Sequence, residues 1–212
     1  MNQVIALTKK LISLPSYVDA QTNESKLGEF IYGYLKKVLI SQGKKQPIRG
    51  GRFNVIATTK GVPKLILASH MDTVIPSRPK QIFPKIKNGE LYGLGALDMK
   101  AGTSAILDSL NGIKNVEGLM LLFYCDEEYY FSGMNKFVNN QKKIIPSPLV
   151  IIPEPTDLTI WDACRGVIEI KFRLQGKTGH SANSQTGENA IDGIFQIIQS
   201  LKTKLNKYSD RV

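Results

Sequence analysis

The stretch "LMLLFYCDEEYY", residues 119–130, runs six apolar or aromatic residues up to a cysteine and then sets three acids side by side. An uninterrupted apolar run of this length is the pattern of a strand buried on both faces, as in a parallel sheet covered by helices. Ionised carboxylates are costly to take out of water unless a cation meets them. Asp126, Glu127 and Glu128, placed at the end of such a strand, therefore require either open solvent or a positive partner.

Outward from this strand, "NVIAT" (54–58), "LILAS" (65–69) and "LVII" (149–152) read as further strands. Apolar residues at helical spacing predict a helix over 4–14, stopped before Pro15, and a second over 24–41 with Gly43 as its stop. Two more helices are predicted at about 100–110 and 132–140. Strands alternating with helices define an α/β fold. Near Arg165 the pattern changes: "VIEIKFRLQG" (167–176) alternates apolar and polar residues, as a strand with one wet face does. A loop, "KTGHSANSQTGE", and a helix over 189–205 follow. The expected organisation is a first domain over 1–164 and a second, partial one over 165–212. One strand and one helix are too little to close a core, so the chain is expected to be incomplete.

A length of 212 residues allows a sizeable core, and 42% hydrophobic with 22% charged residues excludes disorder. No apolar run approaches the roughly 20 residues of a membrane span. The start, "MNQVIALTKKLISLPS", puts its lysines after the apolar residues and offers no small-residue cleavage site, unlike a signal peptide. The expectation is a cytoplasmic protein with no membrane partner. Cys125 and Cys164 lack CxxC spacing and read as small buried thiols. Lys and Arg number 28 against 18 acids, a net charge of +10. The lysines come in scattered pairs without interleaved aromatics, which argues against a nucleic-acid partner and leaves a weak bias toward acidic small molecules.

Three apolar runs end in metal-type ligands: "LILAS" in His70 and Asp72, the opening strand in its three acids, and "LVII" in Glu154 between two prolines. Sites in open α/β sheets form at the carboxyl ends of strands. His70 and Asp72, two apart, face the same way in extended chain, and a carboxylate beside an imidazole can orient it as a ligand. "LYGLGALDMKAG" adds Asp98, which alone would read as a helix N-cap. Glu154 alone would read as a surface glutamate. Together, one imidazole and several carboxylates at one edge form a hard donor set suited to zinc, manganese or cobalt.

"ASHMDTV", "LYGLGALDMKAG", "CDEE", "PEPTD" and "GKTGHSA" occur in the order and approximate spacing of a known family. Over nearly its whole length the chain resembles the dinuclear-zinc hydrolases that include succinyl-diaminopimelate desuccinylase, acetylornithine deacetylase, aminoacylase and related carboxypeptidases. The resemblance implies a three-layer catalytic domain with a mostly parallel central sheet flanked by helices, followed by the start of an α+β lid (dimerisation) domain. It implies two divalent metal ions, zinc first, with cobalt or manganese possible. His70, Asp98 and Glu154 would bind one ion, and Asp98 would bridge to a second held also by Glu128. Asp72 would orient His70, Glu127 would be the general base, and His180 would reach from the lid to polarise the substrate carbonyl. The Asp98–Met99 peptide would be cis. The implied reaction is hydrolysis of an amide bond in an N-acyl amino acid, of desuccinylase or deacetylase type, or in a small peptide.

The sequence departs from that family at the second metal and in the lid. Its only histidines are His70 and His180, so the last histidine that the family supplies to the second metal has no counterpart. Full-length relatives are expected to be homodimers through a lid surface that this chain largely lacks. The alternative to an enzyme is therefore a truncated, catalytically inactive remnant that binds metal or needs a complementary chain. "YYFSG" after the acids either narrows the substrate pocket or packs beneath it.

Overall fold

The computed structural model describes residues 3–38, 42–113, 116–141, 147–164, 166, 168–180 and 186–206. In chain order these form α1 (Gln3–Ile12), α2 (Ser25–Val38), β1 (Gln42–Pro47), β2 (Phe53–Thr58), β3 (Lys60–His70), β4 (Lys85–Lys87), β5 (Glu90–Tyr92), α3 (Ala101–Ser109), β6 (Glu117–Tyr124), α4 (Ser132–Gln141), β7 (Leu149–Ile151) and α5 (Ala190–Leu205). The chain divides into two units, residues 1–161 and 162–212.

The first unit is built on a five-stranded sheet of order β1-β2-β6-β3-β7, with β4 and β5 as a separate hairpin. β6, β3 and β7 pair in parallel, while β2 is antiparallel to both β6 and β1. Four of the five strands thus share one direction, and the sheet is mostly parallel as expected. Alternation of side chains sends each strand's residues to both faces. On one face Val55, Ala57, Leu119, Leu121 and Phe123 pack against α1, α2 and α3 through residues such as Leu11, Ile31 and Leu107. On the other, Ile56, Ile66, Met120, Leu122 and Tyr124 cluster with Phe137 of α4. Helices on both faces explain why the strands read as continuous apolar runs. The stripe Leu27, Ile31 and Leu35, at intervals of four, is buried because it is the face that α2 turns inward.

Some local expectations fail, and one strand, β1, was not expected. Gly43 is not a helix stop: α2 ends at Val38, and Gly43 pairs with Ala57 inside β1. The predicted helical residues 39–41 lie outside the described residues. β1, "QGKKQP", carries no apolar residue; it is an edge strand, and its place comes from the unpaired groups of β2 rather than from burial. In the second unit, 168–176 forms no strand, and Ile168, Ile170 and Phe172 are exposed. A lone alternating segment gains nothing from extension without a ladder partner, and among the described residues of that unit no strand runs beside it. α5 does form: Asn189 caps it by accepting from the Ile191 amide at 3.0 Å. Cys164 is exposed rather than buried. Among the described residues, no helix is long and apolar enough to cross a membrane.

α4 sits very close to the end of β6. A Cβ on Gly133 would lie 2.4 Å from the Cys125 carbonyl oxygen and 2.5 Å from Asn54 Oδ1. Gly133→Ala is therefore expected to destabilise the fold by about 1–3 kcal/mol through overpacking, despite alanine's better helix propensity. Urea unfolding of the variant against the wild type measures the loss.

Candidate metal centre

Parallel pairing places the ends of three strands at one edge. His70 of β3 is in register with Tyr124 of β6, and Leu67 of β3 with Ile151 of β7. The residues that follow, Asp72, the acids 126–128 and Glu154, therefore emerge together, as strand carboxyl ends in open sheets do. Asp98 arrives from the side, on a kinked turn over 96–100 between Gly95 and α3. There its backbone is extended, with φ −113° and ψ 99°, and it caps no helix. The Asp98–Met99 peptide is cis.

His70 is buried, with its two ring nitrogens in different roles. Nδ1 lies 3.0 Å from the Asp72 carbonyl oxygen, to which it donates. That bond directs Nε2 toward Asp98 Oδ1 at 2.9 Å and Glu154 Oε1 at 4.0 Å. Ligand atoms of His70, Asp98 and Glu154 all lie within 4.8 Å of one another, as do those of His70, Glu127 and Glu128. The four expected ligands His70, Asp98, Glu128 and Glu154, and the expected base Glu127, thus all lie in one or other of two groups that share His70. His180 belongs to the second unit, where it is exposed.

Asp72 lies beside His70, as the spacing leads one to expect. Its carboxylate is 3.7 Å from His70 Nδ1, an ion-pair distance, while the hydrogen bond to the imidazole comes from its backbone. The carboxylate oxygens instead accept from the amides of Glu127 and Glu128, each at 3.0 Å. Burial pushes the Asp72 carboxyl up, but His70 and these two amides outweigh it and hold it below the usual range.

The charge balance favours a cation. Burial would pull the His70 imidazolium down, yet Asp72, Asp98 and Glu154 push it up to about 10. Burial, reinforced by the neighbouring acids against the opposing pull of His70, pushes Glu154 up to about 7. Glu127 and Glu128 are raised as well, first by burial. Excess negative charge here is met by protons, and a divalent ion replaces those protons with a better counter-charge. One imidazole nitrogen and several hard oxygens fit such an ion. Beside the cluster, a cavity of about 290 Å³ is lined by Thr73, Val74, Leu97, Asp98 and Glu128.

Sequence reasoning missed the supports. Arg52 pairs with Glu24 at 2.8 Å and with Asp126 at 3.1 Å; both acids are buried. Lys100, also buried, donates to the Leu14 carbonyl at 3.0 Å, and burial lowers its ammonium to about 7. No periodicity marks a lone buried Arg or Lys; only the expectation that buried acids need partners hinted at Arg52. Tyr129, Tyr130 and Phe131 are 41%, 78% and 46% exposed, so they do not pack beneath the site.

Residues 66–204 match peptidase family M20/M25/M40, and the chain belongs to that family. Membership implies use of a divalent metal. The chain is similar to acetylornithine deacetylase of Proteus mirabilis (strain HI4320), 32% identical over 222 residues, covering 98% of this chain and 56% of that protein. Among solved structures it is similar to a tripeptidase from Staphylococcus aureus subsp. aureus Mu50, with a TM-score of 0.63 and 20% identity over 93% of this chain and 55% of that one. An M20 family metallo-carboxypeptidase from Sulfolobus solfataricus gives a TM-score of 0.60 and 18% identity over 72% and 37%. At these identities the structural likeness speaks for the fold. The chain spans about half the length of the curated relatives it matches.

Two outcomes follow from the geometry. Zinc titrated at pH 7 into the metal-free chain is expected to release protons. His70, raised to about 10, is protonated at that pH, and Glu154, raised to about 7, is partly so. Both must give up protons to bind metal. Calorimetry in buffers of different ionisation enthalpy counts them, and a count of zero contradicts the assignment. Secondly, a Cβ on Gly102 of α3 would lie 2.4 Å from the Pro153 carbonyl oxygen. Gly102→Ala must push Pro153, and with it Glu154, away from the cluster. Zinc affinity is expected to fall about 10- to 100-fold, the usual range for a disturbed ligand support, as read by chelator competition.

Proposed function

We propose that this chain is the metal-holding part of a cytoplasmic hydrolase that cleaves the amide bond of an N-acyl amino acid or a small peptide. The observation that carries this reading is the convergence of His70, Asp98, Glu127, Glu128 and Glu154 at one sheet edge, in a chain of the M20 family. His70, Asp98 and Glu154 would hold one divalent ion, zinc before cobalt or manganese; Asp98 and Glu128 would hold a second. Ions so placed lower the pKa of water and polarise a carbonyl oxygen.

The chain's own groups do the rest. The Asp72 carbonyl holds Nδ1–H of His70, which leaves the Nε2 lone pair for ligation. The Asp72 carboxylate grips the Glu127 and Glu128 amides and so fixes where their side chains begin. Glu127 takes a proton from the attacking water as the new C–O bond forms, then gives it to the nitrogen as the C–N bond breaks. Its raised pKa suits both halves of that exchange. His180, from the second unit, would polarise the carbonyl. The name of the Proteus mirabilis relative favours a short acyl group such as acetyl, and the peptidase family to which the chain belongs favours a peptide.

The test is zinc content and hydrolysis of N-acetyl amino acids, N-succinyl amino acids and dipeptides by the zinc-loaded chain, beside Glu127→Gln. The variant is expected to keep its zinc and lose about 10²- to 10⁴-fold in rate. Equal turnover removes Glu127 from the chemistry. A chain that binds zinc and hydrolyses none of these substrates is instead a metal-binding chain without hydrolytic activity.

A further inference from the structure

We propose that Arg52 is a positioning residue for the Glu127–Glu128 turn, acting through Asp126; this rests on the roles given to those two glutamates above. Arg52 directly precedes β2. Its Nε donates to both Glu24 carboxylate oxygens, at 2.9 and 3.1 Å, and its Nη2 donates to Asp126 Oδ1 at 3.1 Å. One guanidinium thus ties the residue preceding α2 to the residue immediately before the general base.

The burial of these groups decides against a merely stabilising role. The Glu24 side chain is 0% exposed and that of Asp126 is 2%. Buried ion pairs gain little over apolar residues of similar volume, because desolvation cancels most of the attraction. What the triad supplies is geometry. Asp126 has φ 70°, a left-handed conformation that a non-glycine residue keeps only when its surroundings hold it. Its carboxylate is held from separate directions: by Arg52, by the Ser132 hydroxyl, and by the Ser132 amide at 3.3 Å. This turn aims the next two amides at the two oxygens of Asp72. Asn54, two residues after Arg52, braces the preceding residue by accepting from the Cys125 amide at 3.2 Å and donating to the Gly133 carbonyl at 2.8 Å. The start of β2 therefore holds both residues that lead into Glu127.

The test is amide hydrogen exchange at Glu127 and Glu128, with Leu121 and Phe123 of β6 as internal controls for global opening. Arg52→Met leaves two buried carboxylates unpaired and risks the fold. A companion variant therefore carries Glu24→Gln, Arg52→Met and Asp126→Asn together, which leaves no lone charge. In whichever variant is folded, the two amides are expected to exchange roughly tenfold faster relative to the controls, the factor for loss of about one net hydrogen bond. Affinity for the second zinc equivalent is expected to fall about 10- to 100-fold. A folded variant whose two amides stay as protected as in the wild type overturns the proposal, whether or not the chain hydrolyses anything. Released amides with unchanged zinc affinity overturn it too. A wild type that takes up only one zinc bears on the two-ion reading, and the exchange measurement then decides the role of Arg52 by itself.

Discussion

Parallel pairing of β3 with β6 is the constraint on which the rest depends. Because the two strands run the same way and His70 stands opposite Tyr124, the chain leaves both at the same edge. Antiparallel pairing would send one set of ligands to the far end of the sheet. The helices on both faces follow from the same choice, since parallel strands need crossover connections that cover the sheet. A fold-level decision, made by apolar residues, thus settles where the polar ones can meet.

Gathering so many acids sets the second condition. Each carboxylate near His70 raises the cost of the others, and at Glu154 this adds to burial, the larger cause, in pushing the carboxyl up to about 7. The structure answers the charge in two ways that do not overlap. Asp126 and Glu24 are met by a permanent cation, Arg52. On the ligand side, Asp98 and Glu154 are met by the imidazole of His70. Three consecutive acids thus fall into separate environments, Asp126 against Arg52 and its two neighbours beside His70.

The strands of the core were legible because burial on both faces leaves an unmistakable apolar run, as at 119–124 and 65–69. The candidate ligands His70, Glu128 and Glu154 were legible because they follow such runs, whereas Asp98 follows none and was implied by the family resemblance. β1 was not, since an edge strand of lysines and glutamines carries no burial signal and depends on β2 for its existence. The extended segment 168–176 was over-read for the complementary reason: alternation announces a wet face but cannot provide a partner. Asp72 was correctly placed beside His70, yet its carboxylate is spent on two backbone amides, a use that side-chain spacing cannot reveal. Arg52 lies 18 residues before His70 and 74 before Asp126, and only the folded chain brings it under the turn.

β7 has a consequence for time rather than position. It is the shortest and outermost strand of the sheet, joined to β3 over three residue pairs and exposed along its length. Edge segments with few buried contacts open at far lower free energy than the core. Glu154 hangs from this strand, whereas His70 is buried at the end of β3, which is paired on both sides. The residues around His70 are therefore unequally held: fraying of a three-residue edge would carry Glu154 away far more readily than the buried imidazole could move.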